Sequence, residues 1–349
     1  ILVYIDNLFL EGKLTPVPVD SISDYAGCTQ RYVLETAAPF SFGIATFEND
    51  DQLRITQLFD IIEKELPTAE SRYYDWTTFA FKWAELSSLI YCGNDKDNEI
   101  RLRKIGDVLN RVFANWLTEH YSSLSNLPPN NPAMLHQVPR RLARDVENSK
   151  RIALIVIDGL ALDQWVTVRQ ILQSQVANLV MRESATFAWI PTLTSVSRQS
   201  IFSGKAPCYF PSSIKTTNNE EKLWTQFWEN HGLLRQNIVY MRALGSGDVS
   251  TVLDSLIHSS KTKVIGLVVD KIDKIMHGMQ LGSVGMHNQI KQWCNDGFLA
   301  ALIEQLLENG YEVWLTADHG NVQCKGSGRP AEGVIAETRG ERVRVFPSL

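Results

Sequence analysis

The chain has 349 residues, which at roughly 150 residues per domain is enough for about two domains with full cores. Hydrophobic residues make up 44% and charged residues 21%, with 9 Trp, 10 Tyr and 14 Phe, so apolar burial can offset the entropy of ordering and a disordered chain is excluded. Lysine and arginine total 34 against 39 aspartates and glutamates, a formal charge of -5, which excludes a global basic footprint for nucleic acid.

The chain opens at Ile1 without a starting methionine or a basic, apolar, small-residue leader. A start inside a longer polypeptide is expected, and the abrupt stop after the strand-like 342–349 suggests truncation at that end too. The longest apolar runs are far shorter than the ~20 residues that span a bilayer. Five cysteines, Cys28, Cys92, Cys208, Cys294 and Cys324, are widely spaced and form no C-x-x-C pair. That usage fits a reducing, cytoplasmic setting.

The first seventy residues mix short apolar runs with Pro and Gly and read as irregular α+β. Residues 74–91 and 99–121 carry apolar side chains at three- and four-residue spacing; Ile105, Val108, Leu109, Val112, Phe113 and Trp116 form one such face, so both stretches are expected as amphipathic helices. Ser, Asn and Pro crowd together from Ser122 to Pro139, which marks a linker. The expected organisation is a mainly helical region over 1–121, a linker over 122–150 and a second domain over 151–349.

From Arg151 the period changes. Apolar runs at 152–157, 185–190, 238–243, 264–269 and 311–315 alternate with helix-like stretches at 220–230, 248–259 and 287–308, the β-α-β signature of a largely parallel sheet flanked by helices. Continuous rather than alternating hydrophobicity suits strands covered on both faces.

In such a sheet ligands sit outside the carboxyl ends of the strands. The first run ends at Asp158, the second leads into Pro191-Thr-Leu-Thr194-Ser195, the fourth into Asp270-Lys-Ile-Asp273 and on to His277, and the last into Asp318-His319-Gly320. Several carboxylates at one edge repel each other unless cations compensate, and carboxylates with neutral imidazoles are ordinary zinc ligands. Two divalent ions would suit phosphoryl transfer, with a threonine hydroxyl as nucleophile. Singly, each motif is ordinary: Asp-Gly is a common turn, Asp273 and His277 have plain helical spacing, and Thr194 or Ser195 serves as a helix cap. The weight lies in four of them following consecutive β-α units.

This order of residues resembles the alkaline phosphatase superfamily and, within it, the PglZ-domain proteins of bacterial phage-exclusion (BREX) systems. Thr194 followed by Ser203-Gly204 and Pro207 is similar to the phosphodiesterase branch; the Cys-x-Pro-x-Arg element of sulfatases is absent. The resemblance covers about 151–345 and implies an alkaline phosphatase-like core. It implies one metal on Asp158, Thr194, Asp318 and His319, and a second on Asp273 and His277, zinc by preference with manganese as the alternative. Thr194 would be the nucleophile, with Ser195 behind it. Asp270 competes with Asp273 for the second metal. No histidine follows His319, so the second site lacks the superfamily's closing ligand. Arg198 is a weaker phosphate-binding candidate, for which an ion pair is the ordinary alternative.

The implied activity is that of a metal-dependent phosphoesterase, a phosphodiesterase or nuclease of cytoplasmic antiviral defence. Its expected partners are a phosphodiester or nucleic-acid substrate and other phage-exclusion proteins, such as the associated DNA methyltransferase, with no membrane contact and an oligomer open. The competing reading is a catalytically silent module of a defence assembly, docking through Trp76, Trp83 and Trp116. Elsewhere the default readings prevail. His231, His258 and His287 read as solvated or core histidines, Arg140, Arg141 and Arg144 as a solvated helix face, and Trp224 with Trp228 as helix packing.

Overall fold

The computed structural model describes residues 17–18, 44–45, 47–93, 95–147, 150–247, 249, 261–279, 282–324, 328, 338–339 and 344–345. The chain divides into two compact units, Ile1–Glu65 and Leu66–Leu349. In the first, strands β1 (Val17–Pro18) and β2 (Ile44–Ala45) pair in parallel. They precede helix α1 (Phe47–Lys64), whose Ile55, Leu58, Phe59 and Ile62 make a buried stripe at helical spacing.

The second unit begins with the two expected helices, α2 (Tyr73–Gly93) and α3 (Lys96–Leu124). Asp95 caps α3, its carboxylate accepting from the backbone of Asp97 and Asn98. Trp76 and Trp116 are buried, with ring centroids 5.6 Å apart. Both belong to the packing of these helices. The stretch read as a linker differs from expectation. It holds helix α4 (Gln137–Glu147), preceded by Ala133, Met134 and Leu135, all buried. Gln137 explains the order: its amide oxygen accepts from the Ala133 and Met134 backbone and its amide nitrogen donates to the Leu124 and Leu127 carbonyls. Proline and asparagine here shape a built turn.

Four parallel strands then form the sheet: β3 (Arg151–Ile157), β4 (Ile238–Leu244), β5 (Val264–Val269) and β6 (Tyr311–Ala317), in the order β4-β5-β3-β6. Ile157 pairs with Val269 on one side and Ala317 on the other. The three residues that follow, Asp158, Asp270 and Asp318, therefore leave the sheet in register, and sequence spacing becomes one acidic edge.

Helices cover both faces. Ala153, Ile155, Ile157, Ile265, Leu267 and Val269 pack against the core from helices α5 (Leu162–Gln175), α9 (Gly282–Asn295) and α10 (Phe298–Glu308). The alternate residues Ile152, Leu154, Val156, Val264 and Val268 pack against α4, α6 (Thr194–Ser203) and α7 (Glu220–Glu229). Between β5 and α9 lies a short helix, α8 (Lys271–His277). Trp224 and Trp228 are fully buried; the Trp224 ring lies over Gly266, where a Cβ would come within 2.9 Å of it.

Several element boundaries depart from the sequence reading. The apolar run 185–190 forms no strand; its one ladder contact is an isolated bridge from Phe187 to Met134, because Phe187 and Trp189 serve the aromatic cluster around Trp116 instead. The helix expected over 287–308 is two helices, broken where Gly297 adopts φ +82° and reverses the chain. The helix expected over 248–259, with His258, lies outside the described residues apart from Val249. At the end of the chain β7 (Thr338–Arg339) pairs antiparallel with β8 (Arg344–Val345). The basic cluster is engaged: Arg140 donates to the Gly204 carbonyl, Arg141 pairs with Asp145 and Arg144 donates to Asn130. Among the described residues no helix is long and apolar enough to cross a membrane.

Candidate metal centre

The register of β3 and β6 places Asp158 and Asp318 side by side, both buried. Gly159, at φ +73°, turns the chain away from β3 in a conformation that favours glycine. Its amide donates to Asp318 Oδ1 at 3.0 Å, and the His319 amide donates to the same oxygen at 2.8 Å. The other oxygen, Asp318 Oδ2, is buried with no hydrogen-bond partner among the described residues. Burial, and then the nearby Asp158 charge, push the Asp318 carboxyl well above the usual carboxylate range.

His319 faces the same point. Its Nδ1 lies 2.9 Å from the Gly320 carbonyl; that acceptor requires the proton on Nδ1 and leaves the Nε2 lone pair for a ligand. Nε2 lies 3.8 Å from Asp158 Oδ1 and 3.6 Å from Asp318 Oδ2. Helix α6 delivers the fourth group, since Thr194 is its first residue. Thr194 Oγ1 lies 3.0 Å from His319 Nε2 and donates to Asp158 Oδ1 at 3.4 Å. Asp158, Asp318 and His319 offer ligand atoms within 4.8 Å of one another. Two carboxylates, an imidazole lone pair and a hydroxyl around an orphaned buried oxygen fit a divalent ion.

The residues expected at the second metal form a pair of their own. His277 Nε2 lies 3.4 Å from Asp273 Oδ1 on α8, and the pair is more exposed than the first group. Asp273 borders the centre: a Cβ at Gly159 would lie 3.8 Å from its Cα. Burial, and then Asp158, raise its carboxyl. Asp270, its competitor, is bound to Lys274 at 2.9 Å.

Arg198 stands in the ion pair that is the ordinary alternative to phosphate binding. It is 6% exposed; Nη1 donates to Asp158 Oδ2 at 3.0 Å and Nη2 pairs with Glu220. Glu220 also accepts from Tyr240 Oη at 2.5 Å. Burial raises the Glu220 carboxyl in spite of Arg198. Sequence reasoning missed Glu220 and Tyr240, since an acidic residue in the first turn of a helix is commonplace. It also missed the amide pair that ties the two ligand loops, in which Gln164 and Asn321 bond reciprocally at 2.8 Å while Asn321 donates to the Gly159 carbonyl. Beside the centre is a cavity of about 710 Å³ whose lining includes Trp76, Trp83, Phe113, Trp165, Asp318 and His319.

A parallel sheet between two helical layers, carrying this cluster at its carboxyl edge, defines an alkaline phosphatase-like α/β domain. The family model described as the BREX system PglZ alkaline phosphatase-like domain matches residues 138–348, more than half of the chain, and the protein belongs to that family. No curated protein matches the chain.

Proposed function

We propose that this domain is a metal-dependent phosphodiesterase acting in cytoplasmic phage defence, with Thr194 as nucleophile. The observation that carries the reading is the meeting of Thr194 Oγ1, His319 Nε2 and Asp158 Oδ1 within hydrogen-bonding reach at the mouth of a parallel sheet. A divalent ion held by Asp158, Asp318, His319 and Thr194 would supply Lewis acidity, lowering the pKa of the threonine hydroxyl and neutralising charge on the phosphoryl oxygens. Asp273 and His277 would hold a second ion.

The protein side of the reaction follows from the geometry. Helix α6 fixes Thr194 Oγ1, which attacks phosphorus in line with the departing alcohol and gives a phosphothreonine that water hydrolyses. In the neutral His319 ring, the Nδ1 proton on the Gly320 carbonyl leaves the Nε2 lone pair facing Thr194. Arg198, locked by Glu220, holds Asp158 in place and so acts as a positioning residue. The aromatic cavity favours a diester carrying a base, a nucleic acid or nucleotide, over a small monoester. Partners would be other proteins of the phage-exclusion system, the associated DNA methyltransferase among them.

One observation favours a second reading, a silent regulatory module: Arg198 already supplies a positive charge to Asp158, and Asp273 and His277 lie outside the compact ligand group. Hydrolysis of bis-p-nitrophenyl phosphate with added zinc or manganese separates the two. Turnover that disappears in Thr194→Ala supports the enzyme. Metal binding without turnover in the native chain would favour the module.

A further inference from the structure

On the face of the sheet opposite α6, helices α2 and α9 both pack on α5, and a polar cluster lies where the three meet. His287 of α9 is 1% exposed. Its Nε2 lies 3.0 Å from Asp163 Oδ2 on the first turn of α5. Its Nδ1 lies 3.3 Å from Thr167 Oγ1 and 3.9 Å from the Sγ of Cys92, in the last turn of α2. Thr167 is in turn 3.2 Å from Ser88 Oγ. Cys92 itself is exposed. A thiol, an imidazole and a carboxylate thus stand in series, with the carboxylate orienting the base and the base facing a sulfur that solvent reaches.

We propose that Cys92 is a modification site, a reactive thiol that forms mixed disulfides with low-molecular-weight disulfides, with His287 and Asp163 as its positioning residues. Burial opposes charge on His287, yet its bonds to Asp163 and Cys92 raise it to about 9. The ring is therefore protonated at neutral pH and donates from both nitrogens, to Asp163 and toward Thr167 and Cys92. Burial also opposes a thiolate at Cys92, and the His287 hydrogen bond and charge outweigh it, holding the thiol below its ordinary value. The end of α2 is unfavourable to an anion, so the imidazolium is the group that sustains it.

The exchange balances without a further reactant. The Cys92 thiolate attacks one sulfur of the small disulfide, a new S–S bond forms and the old one breaks. The displaced half leaves as a thiolate that takes a proton from water. Cys92 is oxidised to the mixed disulfide, the leaving half is reduced, and an excess of free thiol reverses the step. The other described cysteines lack this setting. Cys294 is buried, and burial pushes its thiol up to about 12. Cys208 and Cys324 are exposed away from His287.

Peptide mapping of the full chain by mass spectrometry, after brief exposure to iodoacetamide or glutathione disulfide at pH 6, tests this. A thiol held below its ordinary value carries more thiolate at pH 6, and this gain outweighs its loss of intrinsic nucleophilicity. Cys92 is therefore expected to react faster than Cys208 and Cys324 at this pH. Asp163→Asn should move the midpoint of the Cys92 pH–rate profile upward and leave the other two profiles in place. Equal labelling of all three cysteines in the unaltered chain, or a Cys92 midpoint that Asp163→Asn does not move, would overturn the proposal. The comparison within the unaltered chain holds even if the variant fails to fold.

Discussion

His319 Nε2 lies 3.0 Å from Thr194 Oγ1, though 125 positions separate them in the chain. The contact exists because β6 delivers His319 and α6 delivers Thr194 to the same end of the sheet. Thr194→Ala removes only a half-buried hydroxyl and methyl. Diesterase turnover is expected to fall by at least about 10³-fold, with circular dichroism and melting temperature close to those of the native chain. Thr194→Ser should retain part of the rate.

Asp318→Asn keeps an oxygen to accept from Gly159 and His319 and removes a buried charge beside Asp158. The metal-free variant should melt at or above the native temperature. Zinc at 100 times its dissociation constant adds about 2.7 kcal/mol to a protein that binds it only when folded. That zinc-induced rise in melting temperature is expected in the native chain and absent in Asp318→Asn.

Removing Arg198 leaves two carboxylates, Asp158 and Glu220, without their buried cation. Arg198→Met is expected to cost about 3–5 kcal/mol in urea denaturation. Adding Glu220→Gln to that variant should restore part of the loss, since one uncompensated charge then disappears.

The pair of His287 and Asp163 gives stability a pH dependence. The folded-state pKa of His287, raised to about 9, lies above the unfolded value of about 6.5. Its contribution is therefore fully present below about pH 6.5 and fades as pH rises through about 9. The size is on the order of 3 kcal/mol. Urea midpoints measured from pH 6 to pH 10 should fall along this window, and the fall should shrink in Asp163→Asn.

Gly204 closes α6 at φ +64°, and a Cβ there would stand 2.6 Å from the Phe227 ring. Gly204→Ala combines backbone strain with overpacking and should cost about 1–3 kcal/mol. A melting curve unchanged from the native one would show that Phe227 moves freely.

The two central strands, β3 and β5, were readable as continuous apolar runs buried on both faces, and the edge strands β4 and β6 as shorter apolar runs interrupted by Arg242 and Glu312. Their order was not readable, since β4-β5-β3-β6 depends on which crossover goes where. The same division holds at the site. Asp158, Asp318 and His319 announce themselves by directly following strands, and Thr194 by its place before a helix. Arg198 read as a weak phosphate-binding candidate or an ion-pair residue, and its partner stayed hidden because Glu220 comes from another helix and Tyr240 from an edge strand. The 122–139 stretch misled because composition marks a turn but cannot distinguish a free linker from one pinned by Gln137. The apolar run 185–190 looked like a strand because periodicity cannot tell a ladder from an aromatic cluster.

Glu220 gives Arg198 an anchor independent of Asp158. A cation bound by Asp158 would leave the guanidinium tethered to Glu220, and Tyr240 steadies Glu220 in turn. A filled site would thus change the company of one carboxylate without stranding a buried charge.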